Sequence, residues 1–245
     1  IHHFPVEPTT ETLSFFTVFM CFHIKPDSVD TYLSGICQQL EPFFPEVRQN
    51  RKSALVKRTL EGCMRIRAIP TNRKHALTIE NLCTVVDYYS NSTIHDDLLF
   101  VALLLIGFFA LMRLGELTNS DTKKLRNPLK VIKRTTVLIS EDYFQFFLPG
   151  HKADKFFEGN TILLSRKSHG NLNTYHRFAL YLASRDKLFP FSSPLWLRSD
   201  GTIPTRSWFI HRLRFFFAND IAGQSLRAGG ATSLAEMGSP PSLIQ

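Results

Sequence analysis

The stretch that organises this chain is IHDDLLFVALLLIGFFALMRLGEL, residues 94–117. Fifteen consecutive apolar residues run from Leu98 to Met112. A helix needs roughly 20 such residues to span a bilayer, so a membrane segment is the weaker interpretation. We expect a helix from Ile94 to Met112 that is buried on most sides in a protein core. Arg113 follows directly at its end.

The composition and the charge of the chain limit its function class. A hydrophobic share of 44% with 20% charged residues is typical of a packed globular protein and argues against wholesale disorder. A length of 245 residues allows one large domain or two smaller ones. The net charge of +8 and the pI near 9.5 predict a surface that attracts polyanions, either nucleic acid or an anionic membrane face.

The cysteines and the first residues of the sequence indicate the cellular compartment of the protein. Four cysteines are scattered without a CxxC pair or metal-ligand spacing: Cys21, Cys37, Cys63 and Cys83. This pattern is typical of the reduced core residues of an intracellular protein. The sequence begins with Ile1 and shows no secretory leader, so we expect the natural start to be missing.

The segment from Thr10 to about Arg67 has a helical pattern throughout. Apolar residues at three- and four-residue steps define two helices, with Leu13, Phe16 and Met20 on the first and Val29, Leu33, Ile36 and Leu40 on the second. Pro26 suits the start of the second helix, and two later prolines force a break. A third helix is expected from about Lys52 to Ile66, with Leu55, Leu60 and Met64 facing inward.

The third helix carries a concentration of positive charge. Residues 48–74 contain nine Lys or Arg and one acid, Glu61. Three arginines spaced seven apart fall on one helical face. Phosphate contact is the functional interpretation, and a solvated helix face is the alternative. The DNA-binding candidates are Arg51, Lys52, Arg58, Arg65, Arg73 and Lys74.

A linker with proline, small polar residues and charge, residues 69–74, predicts a domain boundary that separates residues 1–72 from residues 73–245. In the second domain, Thr78 should cap a helix that runs through Tyr89. Strand-like patterns then occupy residues 130–140, 143–148 and 161–164, and helical patterns residues 171–187, 206–217 and 225–237. The expected fold is mainly α: an all-helical first domain, and a helical second domain with a small antiparallel sheet.

Two separated segments carry a family resemblance. Residues 110–117, ALMRLGEL, and residues 224–232, QSLRAGGAT, resemble the two arginine boxes of the tyrosine recombinase, or phage integrase, family. Those boxes are A-x-R-x-G-E-L and, about a hundred residues later, H-x-L-R-x-x-x-A-T, with a small sheet between them. The resemblance looks closest to recombinase-like proteins of fungal mobile elements, in stretches such as IKPDSV at residues 24–29 and LWL at residues 195–197.

The resemblance implies a fold, an activity and partners. The first domain would be a core-binding (SAM-like) domain that clasps DNA, and the second a catalytic-type domain. Such a pair closes around duplex DNA for site-specific recombination or integration, in which a tyrosine attacks the scissile phosphate. No metal or nucleotide cofactor, no small-molecule ligand and no membrane is implied, and a homo-oligomer on DNA is expected.

The resemblance also assigns roles to single residues. Attack on a phosphodiester builds negative charge on its non-bridging oxygens, which a planar, permanently charged guanidinium can hold by paired hydrogen bonds. Arg113 and Arg227 would be the two catalytic arginines, and Glu116 the acid that buttresses an arginine. Lys152, with Lys155 as the second choice, would be the lysine that protonates the leaving oxygen. Without the family, Arg113 is explained as a helix-end cation favoured by the dipole.

Two departures from the family pattern bear on activity. Gln224 stands where the second box has histidine, and an amide cannot exchange a proton near neutral pH; loss of a general acid or base costs about 10² to 10⁴ in rate. Only eighteen residues follow Arg227, so we expect the sequence to stop before the nucleophilic tyrosine and the chain to be inactive as a fragment. Three hypotheses follow: a fragment of a recombinase, a non-catalytic DNA-binding remnant, and a basic helical interaction protein unrelated to DNA.

Overall fold

The computed structural model describes residues 7–67, 74–150, 158–166, 172–240 and 242. Its contacts divide the chain into two compact units, Ile1–Asn72 and Arg73–Gln245. We call these unit 1 and unit 2.

Unit 1 is helical in its described part. Its helices are α1 (Thr10–His23), α2 (Pro26–Leu40), α3 (Val47–Lys52) and α4 (Ala54–Arg67). The core of the unit is formed by Leu13, Cys21, Val29, Leu33 and Val56. The predicted apolar stripes of the first two helices therefore point inward at Leu13, Val29 and Leu33.

The predicted third helix is observed as α4, and a shorter helix that the sequence pattern did not predict, α3, precedes it. The backbone of Ser53 is extended, with φ −56° and ψ 153°, so α3 ends at Lys52 and α4 starts anew at Ala54. The Ser53 hydroxyl accepts a hydrogen bond from the amide of Val56, as expected for a residue that starts a helix. The prediction that Leu55 faces inward is wrong, because the new helix buries Val56 and leaves Leu55 47% exposed. Arg51 consequently lies on a different helix from Arg58 and Arg65.

Unit 2 combines helices with one small sheet. Its elements are α5 (Ile79–Tyr88), α6 (His95–Phe109), α7 (Leu114–Leu117), β1 (Leu138–Ile139), β2 (Tyr143–Leu148), β3 (Asn160–Ser165), α8 (Thr174–Leu188), α9 (Arg206–Phe217) and α10 (Gln224–Glu236). The strands pair antiparallel in the order β1-β2-β3. The prediction of a mainly helical chain with a small antiparallel sheet is confirmed.

The apolar helix α6 is the centre of unit 2. Every residue from Leu98 to Phe108 is buried, and α8 and α10 pack against the helix. Among the described residues, no helix combines the length and the apolar character that a bilayer crossing requires. The helix is shorter than the predicted Ile94 to Met112, since it ends at Phe109.

The first strand is also shorter than predicted. Residues 130–140 were expected to form a strand, but β1 has only two residues, and the preceding chain forms short 3₁₀ turns at Lys123–Leu125, Pro128–Lys130 and Arg134–Thr136. The strand is short because the preceding residues pair with residues 193–195 instead of with β2. The carbonyl of Ile132 accepts the amide of Leu195, and the amide of Arg134 donates to the carbonyl of Ser193.

A cluster of two arginines and one aspartate fastens this segment to α8. The guanidinium of Arg134 donates to both carboxylate oxygens of Asp186 at 2.7–3.1 Å, and the fully buried Arg185 donates to Asp186 at 2.9 Å. Partial burial raises the pKa of Asp186, but the hydrogen bonds and charges of the two arginines outweigh it and hold that pKa below the ordinary 3.8.

Low pH should weaken the interaction of Asp186 with Arg134 and Arg185. Because the folded-state pKa of Asp186 is depressed, its stabilising contribution is fully present above about pH 4 and is lost as the pH falls through the folded value. We expect Asp186→Asn to lower the free energy of unfolding at pH 7, with a deficit that shrinks as the pH falls below 3.8. Urea titrations at several pH values measure this. A deficit of equal size at pH 3 and pH 7 would contradict the assignment.

Candidate phosphate-binding site

The end of α6 aims Arg113 away from the core. Leu111 has a φ of 52°, a left-handed conformation that costs a non-glycine residue about 1–2 kcal/mol. The turn reverses the chain after α6 and buries Met112, which is 2% exposed. Arg113 then adopts an extended backbone as the residue before α7. Strained backbone of this kind persists only where the surrounding structure holds it.

Glu116 holds Arg113 at two points. One carboxylate oxygen of Glu116 accepts the backbone amide of Arg113 at 2.8 Å, and the other accepts Nη1 at 3.1 Å. The side chain of Glu116 is 11% exposed, whereas that of Arg113 is 42% exposed. A guanidinium has five N–H donors, so this pair leaves most of the donors of Arg113 for another acceptor.

The helix α10 supplies the second arginine. Leu226, Gly229 and Gly230 are buried on one face. A Cβ atom added to Gly229 would overlap the carbonyl oxygen of Leu77, and one added to Gly230 would overlap that of Phe108, so the helix touches the neighbouring backbone directly. The opposite face, at steps of three and four residues, carries Gln224, Arg227, Ala228 and Ala231.

That opposite face of α10 and the residues of α7 line a single cavity. We call it the arginine cavity; its volume is about 800 Å³, and Arg113, Glu116, Gln224 and Arg227 are among its lining residues. Arg227 is half-buried, and within the described part of the chain no hydrogen bond or ion pair engages its guanidinium. The two predicted arginines are therefore brought together, with open space beside both.

Two further cations, Arg206 and Lys130, line the arginine cavity. Neither was among the site residues predicted from the sequence. Residues 119 and 205 form a parallel bridge, and the amide of Arg206 donates to the carbonyl of Asn119, which places the first turn of α9 beside α7. A signal for Arg206 was present in the sequence. Arg206 lies in the first turn of a helix, where the helix dipole favours anions. A cation at this position does not stabilise the helix, which indicates that it has another role.

The remaining predicted residues have mixed placements. Lys152, Lys155 and Arg73 lie outside the described residues, although Gly150, two residues before Lys152 in the sequence, lines the arginine cavity. Lys74 donates to the carbonyl of Asn219.

In unit 1, two of the predicted basic residues, Arg51 and Lys52, line a cavity, whereas Arg58 and Arg65 are not in its described lining. Arg51 is held by Asp30 at 3.0 Å, while Lys52, Arg58 and Arg65 are exposed. A cavity of about 450 Å³ has apolar residues and four cations in its wall, Arg48, Arg51, Lys52 and Lys57. Arg48 is partly neutralised by Glu41 at 2.6 Å.

No tyrosine of the sequence lines the arginine cavity as far as its described lining goes. All six are described: Tyr32, Tyr88, Tyr89, Tyr143, Tyr175 and Tyr181. Tyr181 is buried and its hydroxyl donates to the carbonyl of Leu195; burial raises its pKa, as it does for Tyr89. A raised pKa disfavours the phenolate, so neither residue is suited to act as a nucleophile.

Comparison with solved structures places this geometry in a known fold. The Tn1549 transposon integrase in complex with circular intermediate DNA aligns with a TM-score of 0.56 at 16% identity, over 97% of this chain and 76% of the integrase chain. The XerA recombinase aligns with a TM-score of 0.51 at 13% identity, over 96% of this chain and 80% of its own. The fold is that of the tyrosine recombinases.

The recombinase fold is shared at low sequence identity. The XerH site-specific recombinase bound to difH substrate aligns with a TM-score of 0.50 at 16% identity, over 81% of this chain. The chain spans 57% and 64% of the XerH chains in two such complexes. No protein-family model matches the sequence, and no curated protein matches it. The likeness therefore establishes the recombinase fold, and the roles of single residues rest on the geometry of the cavity.

Glu116 can be tested as a positioning residue. If it orients Arg113, Glu116→Ala should weaken binding of a nicked duplex several-fold, and Glu116→Gln should weaken it less because the amide oxygen still accepts one hydrogen bond. If it were only a negative charge in a basic cavity, both variants would bind more tightly. Fluorescence anisotropy distinguishes the two signs. Glu236→Ala, an exposed acid at the end of α10, is the matched control.

Proposed function

We propose that this chain binds duplex DNA and serves site-specific DNA recombination or integration by the tyrosine recombinase mechanism. One observation carries the proposal: Arg113 and Arg227, far apart in the sequence, line one cavity in a chain with the recombinase fold. A phosphodiester under attack needs this arrangement, because charge develops on two non-bridging oxygens at once.

The lining of the cavity suits a phosphate more than a neutral ligand. Among the described lining residues, Arg113, Lys130, Arg206 and Arg227 are cations, and the acid Glu116 pairs with Arg113. Gln224 can donate an amide hydrogen bond to a phosphate oxygen. In the proposed reaction a tyrosine oxygen bonds to the phosphorus while the bond to the 5′-oxygen breaks, and Lys152 gives a proton to that leaving oxygen. The phosphotyrosyl link conserves the bond energy, so that no nucleotide cofactor is required. None of the six tyrosines lies in the described lining of the cavity, so that lining does not supply the nucleophile.

Unit 1 would contribute sequence-independent affinity. The exposed Arg58 and Arg65 on α4, together with Lys52 and Lys57 at the nearby cavity, can neutralise backbone phosphates. The XerH and Tn1549 integrase structures are complexes with DNA, which supports a duplex as the partner.

A non-catalytic DNA-binding protein is the second candidate. It is favoured by the absence of all six tyrosines from the described lining of the arginine cavity. Incubation with nicked and intact duplexes, followed by a denaturing gel, separates the two functions. Covalent protein–DNA adducts support the recombinase, binding without adducts supports the second candidate, and no binding to any duplex contradicts both.

The contribution of α4 can be measured by its dependence on salt. We expect Arg58→Ala and Arg65→Ala each to reduce the slope of log K against log salt by about 1, since each removes one phosphate contact. Anisotropy titrations with one duplex between 50 and 200 mM salt, about the range over which such slopes are resolved, provide the measurement. Lys25→Ala removes an exposed cation elsewhere in unit 1 and is the control. Slopes that fall equally for all three variants would mean that α4 makes no specific contact.

A further inference from the structure

A second cavity adjoins the arginine cavity. Its volume is about 320 Å³, and four lining residues belong to both cavities: Gly115, Glu116, Lys130 and Arg206. We call it the Trp196 cavity, after the aromatic residue in its wall. A strand bound by the arginines can therefore continue past Lys130 and Arg206 into it.

The wall of the Trp196 cavity combines buried apolar side chains, exposed cations and polar groups such as Thr118, Asn119, Ser120 and Asn127. Leu117, Ile132 and Trp196 are each at most 3% exposed. Exposed cations belong to the same lining, namely Arg126, Lys130 and Arg206. The apolar part of this wall offers no hydrogen bond to a phosphate, whereas a flat, weakly polar group can lie against it without losing hydration.

Trp196 has an unused hydrogen-bond donor. Its ring packs against Phe146, with centroids 6.0 Å apart, and against Tyr181 at 5.5 Å. Its indole Nε1 is buried and has no hydrogen-bond partner among the described residues. Buried donors in native proteins nearly always have a partner, so the unpaired N–H of this lining residue is a donor that an acceptor entering the cavity could use if the ring makes it accessible.

We propose that the Trp196 cavity binds an unpaired nucleobase of the DNA strand whose phosphate occupies the arginine cavity. The proposal rests on the proposed function. A base has a flat apolar face for the cavity wall and carbonyl or ring-nitrogen acceptors for the indole N–H. The phosphates on either side of that base would meet Lys130 and Arg206 at the wall that the two cavities share.

A single-stranded homopolymer tests the nucleobase site without knowledge of the target sequence, because every position along the strand presents the same base to the cavity. The probes are fluorescein-labelled dT12 and an abasic strand with the same number of phosphates. We expect dT12 to bind about tenfold more tightly than the abasic strand. Trp196→Phe, which keeps a ring and removes the donor, should abolish most of that difference and leave binding of the abasic strand unchanged.

A second variant and a spectroscopic measurement distinguish loss of the base contact from misfolding of the Trp196→Phe variant. Ile203→Phe narrows the cavity from its rim and leaves Trp196 in place. In a Trp208→Phe background Trp196 is the one remaining tryptophan, and dT12 should change its emission while the abasic strand should not. Equal affinity for both strands, or an unchanged preference in both cavity variants, overturns the proposal.

The outcomes separate this proposal from the function on which it rests. If neither strand binds and Arg227→Ala has no effect on duplex binding, the proposed function fails and the nucleobase site fails with it. If both strands bind equally and Arg227→Ala weakens both, the arginine cavity stands and the nucleobase site is wrong. Free thymidine monophosphate that displaces dT12 at equal concentration would assign the cavity to a mononucleotide, against the proposal.

Discussion

Replacing Arg227 by alanine should weaken the binding of a nicked duplex about 10- to 100-fold. The guanidinium lines the arginine cavity without a partner inside the described part of the protein, so its hydrogen bonds are available to the ligand. An arginine can give two hydrogen bonds to one phosphate, and the net loss of one bond to a charged group, worth about 1.5–3 kcal/mol, corresponds to about 10- to 100-fold in affinity. Anisotropy titration at fixed salt measures the loss.

Two variants make the Arg227 result specific. Arg227→Lys keeps the charge but loses the paired geometry, so it should recover only part of the affinity. Lys187→Ala removes an exposed positive charge at the end of α8, outside the cavity lining, and should cost less than about threefold. Equal losses for Arg227→Ala and Lys187→Ala would show that only the overall charge matters.

Adding a methyl group at Gly229 or at Gly230 should destabilise unit 2 by about 3 kcal/mol, the upper end of the range for overpacking. Each new Cβ would overlap a backbone carbonyl oxygen, that of Leu77 or of Phe108, and backbone cannot rotate away as a side chain can. Urea denaturation followed by tryptophan fluorescence reports on this unit, because both tryptophans, Trp196 and Trp208, belong to it.

Other glycines provide graded controls. At Gly107 on α6 a Cβ would meet only methyl groups of Leu226 and Leu117, at 3.0 and 3.1 Å, so Gly107→Ala should cost less than either α10 variant. At Gly35 on α2 nothing lies within 4 Å, and alanine should be neutral or slightly stabilising. A cost at Gly107 equal to that at Gly229 would indicate general intolerance of volume instead of backbone contact.

The sequence predicted those parts of the fold that depend on local periodicity and capping. The bounds of α9 agree with the prediction, since Thr205 caps the helix and its side chain accepts the amide of Trp208. Thr78 caps α5 in the same way. The strand pattern at residues 143–148 also coincides with β2. In these elements the deciding interactions lie within a few residues of each other.

The predictions are wrong in segments whose structure depends on residues far away in the sequence. Nothing within residues 130–140 reveals that Ile132 would pair with Leu195 and leave a two-residue strand. The left-handed turn at Leu111 ends α6 early, although residues 108–112 contain neither glycine nor proline and give no stop signal there. The convergence of Arg113 and Arg227 could be expected only from the family resemblance. The part played by Arg206 depends on the bridge between Asn119 and Thr205, which pairs residues far apart in the sequence.

The left-handed turn at Leu111 has a consequence for how the arginine pair is assembled. A side-chain methyl of Leu111 lies against Gly230, so the turn that presents Arg113 abuts the same helix that carries Arg227. If α10 detaches, that support disappears, and the chain after α6 can relax to an ordinary helical ending. Both cations would then leave their positions in a single cooperative event, and no half-assembled site with one arginine in place would persist.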